Sequence, residues 1–178
     1  MKKFSVFAGI ALALAFTIVV GLPQTNVFAD NQQLPYKASG TEHVLLEEPH
    51  PDCGPGRLKV DIEGSGQGTH TGKYKIVRHH CFNLSTFAIE DGYFEQTAAN
   101  GDRLWGTYTG ATTGVLEFAE DGSPLVVEIR SPWVIKGGTG RFADADGAGN
   151  AIGVFNTVVQ QGNFAMDGWI SYSISEQP

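Results

Sequence analysis

Six side chains have the types and spacing to work together chemically: His70 and Tyr74 in one alternating run, Tyr108 in a second, and Phe164, Met166 and Tyr172 in a third. Residues two or four apart on a strand share a face, so each run can turn these groups toward one interior. An apolar wall carrying a few phenols and an imidazole is the composition of a small-molecule pocket, where the polar tips fix orientation. Such a wall would hold a small apolar or aromatic molecule. A tyrosine or histidine there could also protonate a developing alkoxide or enolate, with a carboxylate such as Glu95 stabilising a cation. The alternative is that the same residues only close a core, since tyrosine is common at half-buried strand positions.

Other patterns point away from metal, nucleotide and nucleophile chemistry. His79 and His80 stand beside Cys81, but adjacent histidines on a strand face opposite sides and cannot readily converge on one ion. Asp144-x-Asp146-Gly147 has the flavour of a calcium loop. Its glycine comes too early, and Phe155 stands where a bidentate glutamate is needed, so a turn explains the segment better. The glycine-rich loops lack a following Gly-Lys-Ser/Thr and any G-x-G-x-x-G spacing, and no G-x-S-x-G elbow is present. The expectation is no metal and no cofactor.

The elements that must position these groups read as strands. Eight are expected, at 36–46, 58–63, 70–76, 92–99, 103–109, 125–135, 150–159 and 163–174. Leu58, Val60 and Ile62 alternate with Lys59, Asp61 and Glu63, the pattern of a half-buried strand. In the last strand Phe164, Met166, Gly168, Ile170, Tyr172 and Ile174 share one face. Turns fall at Gly64–Gly68, Asn100-Gly101, Asp121-Gly122 and Gln160–Gly162, and Asn-Gly is the strongest short hairpin signal. Pro132 implies an edge, a bulge or a break in its strand. Hairpin following hairpin, with no stretch of helical periodicity, predicts an all-β, single antiparallel eight-stranded barrel. A barrel of that size either fills itself with side chains or holds one small ligand.

The run Gly137-Gly138-Thr139-Gly140-Arg141-Phe142-Ala143-Asp144-Ala145 resembles the glycine corner of the allene oxide cyclase-like and dirigent-like barrel superfamily. Thr97-Ala98-Ala99-Asn100-Gly101-Asp102, followed by Gly106-Thr107-Tyr108-Thr109-Gly110, resembles the repeated hairpins of its exported bacterial branch. The resemblance spans Leu58 to Tyr172 and implies an eight-stranded barrel with an interior pocket. Plant members cyclise an unsaturated epoxy fatty acid or guide the coupling of phenoxy radicals, without metal or organic cofactor. An enzyme of this kind would therefore be a cofactor-independent cyclase or isomerase. The resemblance brings no catalytic residue with it.

The amino terminus reads as a signal peptide over 1–29: Lys2 and Lys3, an apolar run from Phe4 to Leu22, and Val27/Ala29 at the cleavage positions. Retention of that run as a membrane anchor is the alternative. Cleavage leaves 30–56 as a polar leader, first strand and Pro/Gly loop, and 57–178 as the barrel domain, its first strand starting as early as 36. Without Lys2 and Lys3 the chain carries ten basic and nineteen acidic residues, a net charge of −9. That excludes nucleic acid as a partner and gives no basic surface for anionic lipid. In an exported chain the cysteine pair Cys53 and Cys81 predicts one disulfide, worth about 3 kcal/mol through chain entropy.

A secreted or periplasmic barrel that binds a small apolar or aromatic molecule, or acts through its surface, is the first reading. A cyclase or isomerase is the second. A homo-oligomeric structural protein, using Trp105, Trp133 and Trp169 as contact surface, is the third.

Overall fold

The computed structural model describes residues 32–173. The expected signal peptide over 1–29 and Ile174 lie outside them. Eight antiparallel strands form a closed barrel in sequence order. They are β1 (Leu34–Pro49), β2 (Arg57–Gly68), β3 (Gly72–Asn83), β4 (Ala88–Ala98), β5 (Arg103–Phe118), β6 (Pro124–Gly138), β7 (Asp146–Asn156) and β8 (Gln161–Ser171). Each pairs with the next, and β8 returns to β1 through Leu34↔Ile170 to His43↔Gln161. Closure removes every sheet edge, so Pro132 does not mark one. It pairs with Asn150 in an unbroken β6–β7 ladder, while the β5–β6 ladder skips from Tyr108↔Trp133 to Ala111↔Arg130.

The ends of the barrel differ. One end gathers the start of β1, the β2–β3, β4–β5 and β6–β7 turns, and the chain after β8. It is plugged by Phe142, fully buried on a short 3-10 turn (Gly140–Phe142) inside the glycine corner. Gly140 has φ +58°, and a side chain there would strike the Asp102 carboxylate. The other end, the mouth, gathers the β1–β2, β3–β4, β5–β6 and β7–β8 connections. There the Cys53–Cys81 disulfide (Cα–Cα 5.4 Å) ties the β1–β2 connection to β3.

The interior is filled by setting bulky side chains against inward glycines. Gly66 pairs with Tyr74, Gly92 with Tyr108, Gly106 receives Phe94, and Gly40 pairs with Phe164. Trp133 lies across Gly149 and Gly168, where an added Cβ would come within 2.4 and 2.8 Å of its ring. Gly149→Ala is therefore expected to cost near the top of the roughly 1–3 kcal/mol usual for overpacking. An unchanged urea midpoint would show that the tryptophan can move aside.

Four expectations need correction. The turn expected at Gly64–Gly68 falls instead at 69–71, because those glycines remain in β2, paired with Gly72 to Ile76. His70 lies in the turn before β3, Trp133 is buried in the core and supplies no contact surface, and Glu95 faces outward. Glu95 lies 3.6 Å from Arg103 and accepts a hydrogen bond from Tyr93 at 3.4 Å, so it cannot serve an interior cation.

Candidate functional site

The six residues singled out by type divide between two places. His70 and Tyr172 sit at the plugged end. His70 Nε2 lies 3.0 Å from the Pro35 carbonyl, which can only accept; in the neutral ring Nδ1 then accepts from the Tyr172 hydroxyl at 2.9 Å. This bond closes the barrel floor beside Phe142, whose ring meets Tyr172 edge-on at 5.3 Å. Met166 lies between the two places: Gln96 Nε2 points at its sulfur from 3.7 Å, and it lines a small internal space with Arg78 and Tyr108. Gln96 is itself fully buried and accepts from the Tyr36 hydroxyl at 2.6 Å. Burial pushes the Tyr36 phenol up to about 12. Tyr74 is buried too and reaches the Ser39 carbonyl at 3.5 Å.

Tyr108 and Phe164 lie toward the mouth, and they meet side chains that residue type alone did not single out. Beyond Tyr74 and Ile76 the inward parity of β3 continues through Arg78 and His80. Glu42 enters from β1. Arg78 and Glu42 form an internal ion pair, Nη1 to Oε2 at 3.0 Å, with side chains only 13% and 11% exposed. The Glu42 oxygen is buried and lacks good hydrogen-bond geometry, so the contact is charge attraction with an acceptor left over. The guanidinium lies 4.4 Å from the Phe164 ring centroid and 5.8 Å from that of Tyr108. His80 Nδ1 stands 2.8 Å from the Tyr108 hydroxyl.

The electrostatics keep this pair neutral. Desolvation, then the Arg78 cation, then His79, lower the His80 pKa to about 4. Desolvation holds the Tyr108 phenol above its ordinary range, against the pull of Arg78. In this neutral pair the phenol donates to the unprotonated Nδ1, and with the His80 pKa lowered and that of Tyr108 raised the proton stays on the phenol. What the pair can offer a bound molecule is the other ring N–H as donor and the phenol oxygen as acceptor. His79, on the opposite face, stacks on Tyr93 with ring centroids 5.0 Å apart. Cys81 is committed to the disulfide. Asp144 accepts from the Ser173 amide and hydroxyl, fastening the chain after β8.

A cavity of about 40 Å³ adjoins this cluster, lined by Ile62, Ile89, Ile129, Phe155 and Phe164 together with Glu42, Arg78 and His80. It has room for a few water-sized groups, well short of the roughly 300–1,000 Å³ of a drug-sized site. A larger depression, about 770 Å³, lies on the outer surface over β1, β7 and β8, with the exposed Lys37–Asp167 pair at 3.2 Å. It is farther from the shifted groups and open to solvent, so the inner cavity is the better candidate. Continuing the β3 alternation by two more inward positions would have found Arg78 and His80; nothing local marks Glu42 as their partner.

No family model, no curated protein and no solved structure matches this chain.

Proposed function

We propose that this protein is an exported barrel of the allene oxide cyclase-like superfamily that binds a small apolar or aromatic molecule at its mouth. The observation that carries the reading is a buried, net-neutral polar cluster lining an otherwise apolar cavity. Glu42 offers an unsatisfied acceptor, and Arg78 offers donors. A neutral molecule with one polar end fits this cluster best, because an added charge would disturb the balance of the buried pair. The closed barrel supports the superfamily reading. The Cys53–Cys81 disulfide supports an oxidising, extracytoplasmic location.

The runner-up is a cofactor-independent isomerase. The specific observation in its favour is the neutral His80–Tyr108 hydrogen bond beside a carboxylate, which offers a proton donor and acceptor within one cavity.

Phenol, a neutral single-ring molecule with one hydroxyl and among the smallest aromatic molecules, suits a cavity of this size and tests binding by ligand-observed NMR. One saturable site is expected. Gly153 lines the cavity, and a Cβ there would meet nothing nearer than the Asn163 carbonyl at 3.7 Å. Gly153→Val should therefore fold yet weaken phenol binding at least about tenfold, equivalent to about 1.4 kcal/mol. Absence of binding, or equal binding to Gly153→Val, would remove the support for this reading.

A further inference from the structure

The large apolar side chains left exposed concentrate at one end of the barrel. Leu84 and Phe87 lie in or beside the β3–β4 turn, Leu116 and Phe118 at the end of β5, and Val158 and Val159 in the β7–β8 turn. Phe118 is 62% exposed and Val158 70%, so these are side chains in water, not the rims of core residues. Backbone hydrogen bonds join the connections into one crown. Thr112 donates to the Phe87 carbonyl at 3.1 Å, Thr157 to that of Leu125 at 3.0 Å, and Val44 to that of Gln160 at 3.0 Å. The plugged end carries no comparable group among the described residues.

Phe87 is also strained. Its φ of +57° belongs to the left-handed region, which a bulky residue adopts only at a cost. A glycine would suit the backbone better, yet the position holds a phenyl ring 53% exposed to solvent.

Charge decides what such a crown accepts. Glu47, Glu48, Asp91, Glu117, Glu120 and Asp121 surround it. The basic groups nearby are already paired, Arg57 with Glu90 at 3.0 Å and Lys59 with Asp61 at 3.1 Å. An anionic lipid surface would be repelled. Two copies meeting crown to crown would set carboxylates against carboxylates. The plugged end of a second copy carries Lys73, Lys75 and Lys136 beside Asp144 and Asp146, and it lacks the apolar complement.

We propose that the mouth crown docks a cationic amphipathic polypeptide segment, its apolar face on Phe87, Phe118 and Val158 and its basic face on the surrounding carboxylates. This surface is distinct from the Arg78–Glu42 cluster and does not depend on a ligand being bound there.

The test uses the disulfide-bonded protein and a Leu/Lys amphipathic helical peptide, titrated by calorimetry at low and moderate salt. Saturable binding that weakens as salt rises is expected. Phe87→Gly combined with Phe118→Ser should lower affinity at least about tenfold, since exposed aromatic anchors dominate such contacts. Phe87→Gly relieves a positive φ, so this variant is expected to keep its fold, checked by circular dichroism. Glu117→Gln with Glu120→Gln and Asp121→Asn should weaken binding and flatten its salt dependence, while Lys73→Gln with Lys75→Gln should leave it unchanged. The proposal is overturned if the peptide does not bind, or if both crown variants bind it as the parent does. It is equally overturned if sedimentation shows the crown self-associating, or if phosphatidylcholine vesicles bind the crown and the peptide does not.

Discussion

Glu42→Ala is expected to destabilise the barrel by about 3–5 kcal/mol, because it leaves the Arg78 guanidinium charged, largely buried and without its counter-ion. The pair is not thereby a net source of stability. Both charges are taken out of water, and the buried Glu42 oxygen lacks good hydrogen-bond geometry. Replacing both partners, Glu42→Met with Arg78→Met, should recover most or all of the loss, since a well-packed apolar pair often matches or exceeds a buried ion pair. Urea denaturation of the parent, Glu42→Met, Arg78→Met and the double variant yields the coupling directly. A loss under about 1 kcal/mol in the single variant would mean that water reaches the pair and screens it. If the double variant regains stability but no longer binds phenol, the pair serves the cavity rather than the fold.

Acid is expected to weaken the barrel over a window set by His80. Its folded pKa lies near 4, below the 6.5 of an unfolded chain, so between these values the unfolded state holds more protons. Stability is thus complete above about pH 6.5 and falls as pH drops toward 4, by about 3 kcal/mol for the fully expressed shift. The ring cannot easily gain a charge because it is desolvated beside Arg78 and His79, while Asp61 alone pulls the other way. The carboxylates of Asp121, Glu128 and Asp144 are lowered, so their stabilising contributions are lost at still more acid pH and leave the window to His80. His80→Gln should flatten the pH dependence of the urea midpoint between about 6.5 and 4. An unchanged slope would place the titration elsewhere. The same protonation would break the neutral His80–Tyr108 arrangement, so any isomerase activity should decline along with it.

Much of the architecture was legible in the sequence because strand parity is local. The alternation from Phe164 to Ile170, the Asn100-Gly101 turn and the cysteine pair predicted the last strand, a hairpin and the disulfide, all present. Strand ends were less legible. The runs through Arg78 and His80, and through Thr112 and Val115, break the simple apolar–polar rhythm at bulges near His79/Cys81, Thr112/Gly114 and Val115/Glu117. Tyr108 and Phe164 were found by type and meet Arg78, whereas His70 and Tyr172 went to the plugged end; Met166 stands between, against Gln96 and in a small internal space with Arg78 and Tyr108.

Parity fixes which side chains point inward, and the sequence alone therefore determined a β-barrel with a mixed aromatic and polar interior. Which inward residues meet depends on closure: Glu42 of β1 and Arg78 of β3 face each other only because β2 lies between them in this register. Whether a space is filled or open is likewise decided across the barrel, where Trp133 fills the room left by Gly149 and Gly168 while Gly153 faces the cavity beside Arg78 and His80. Contacts between distant strands follow from the stagger and bulges of the closed sheet, and no local pattern of residues encodes those.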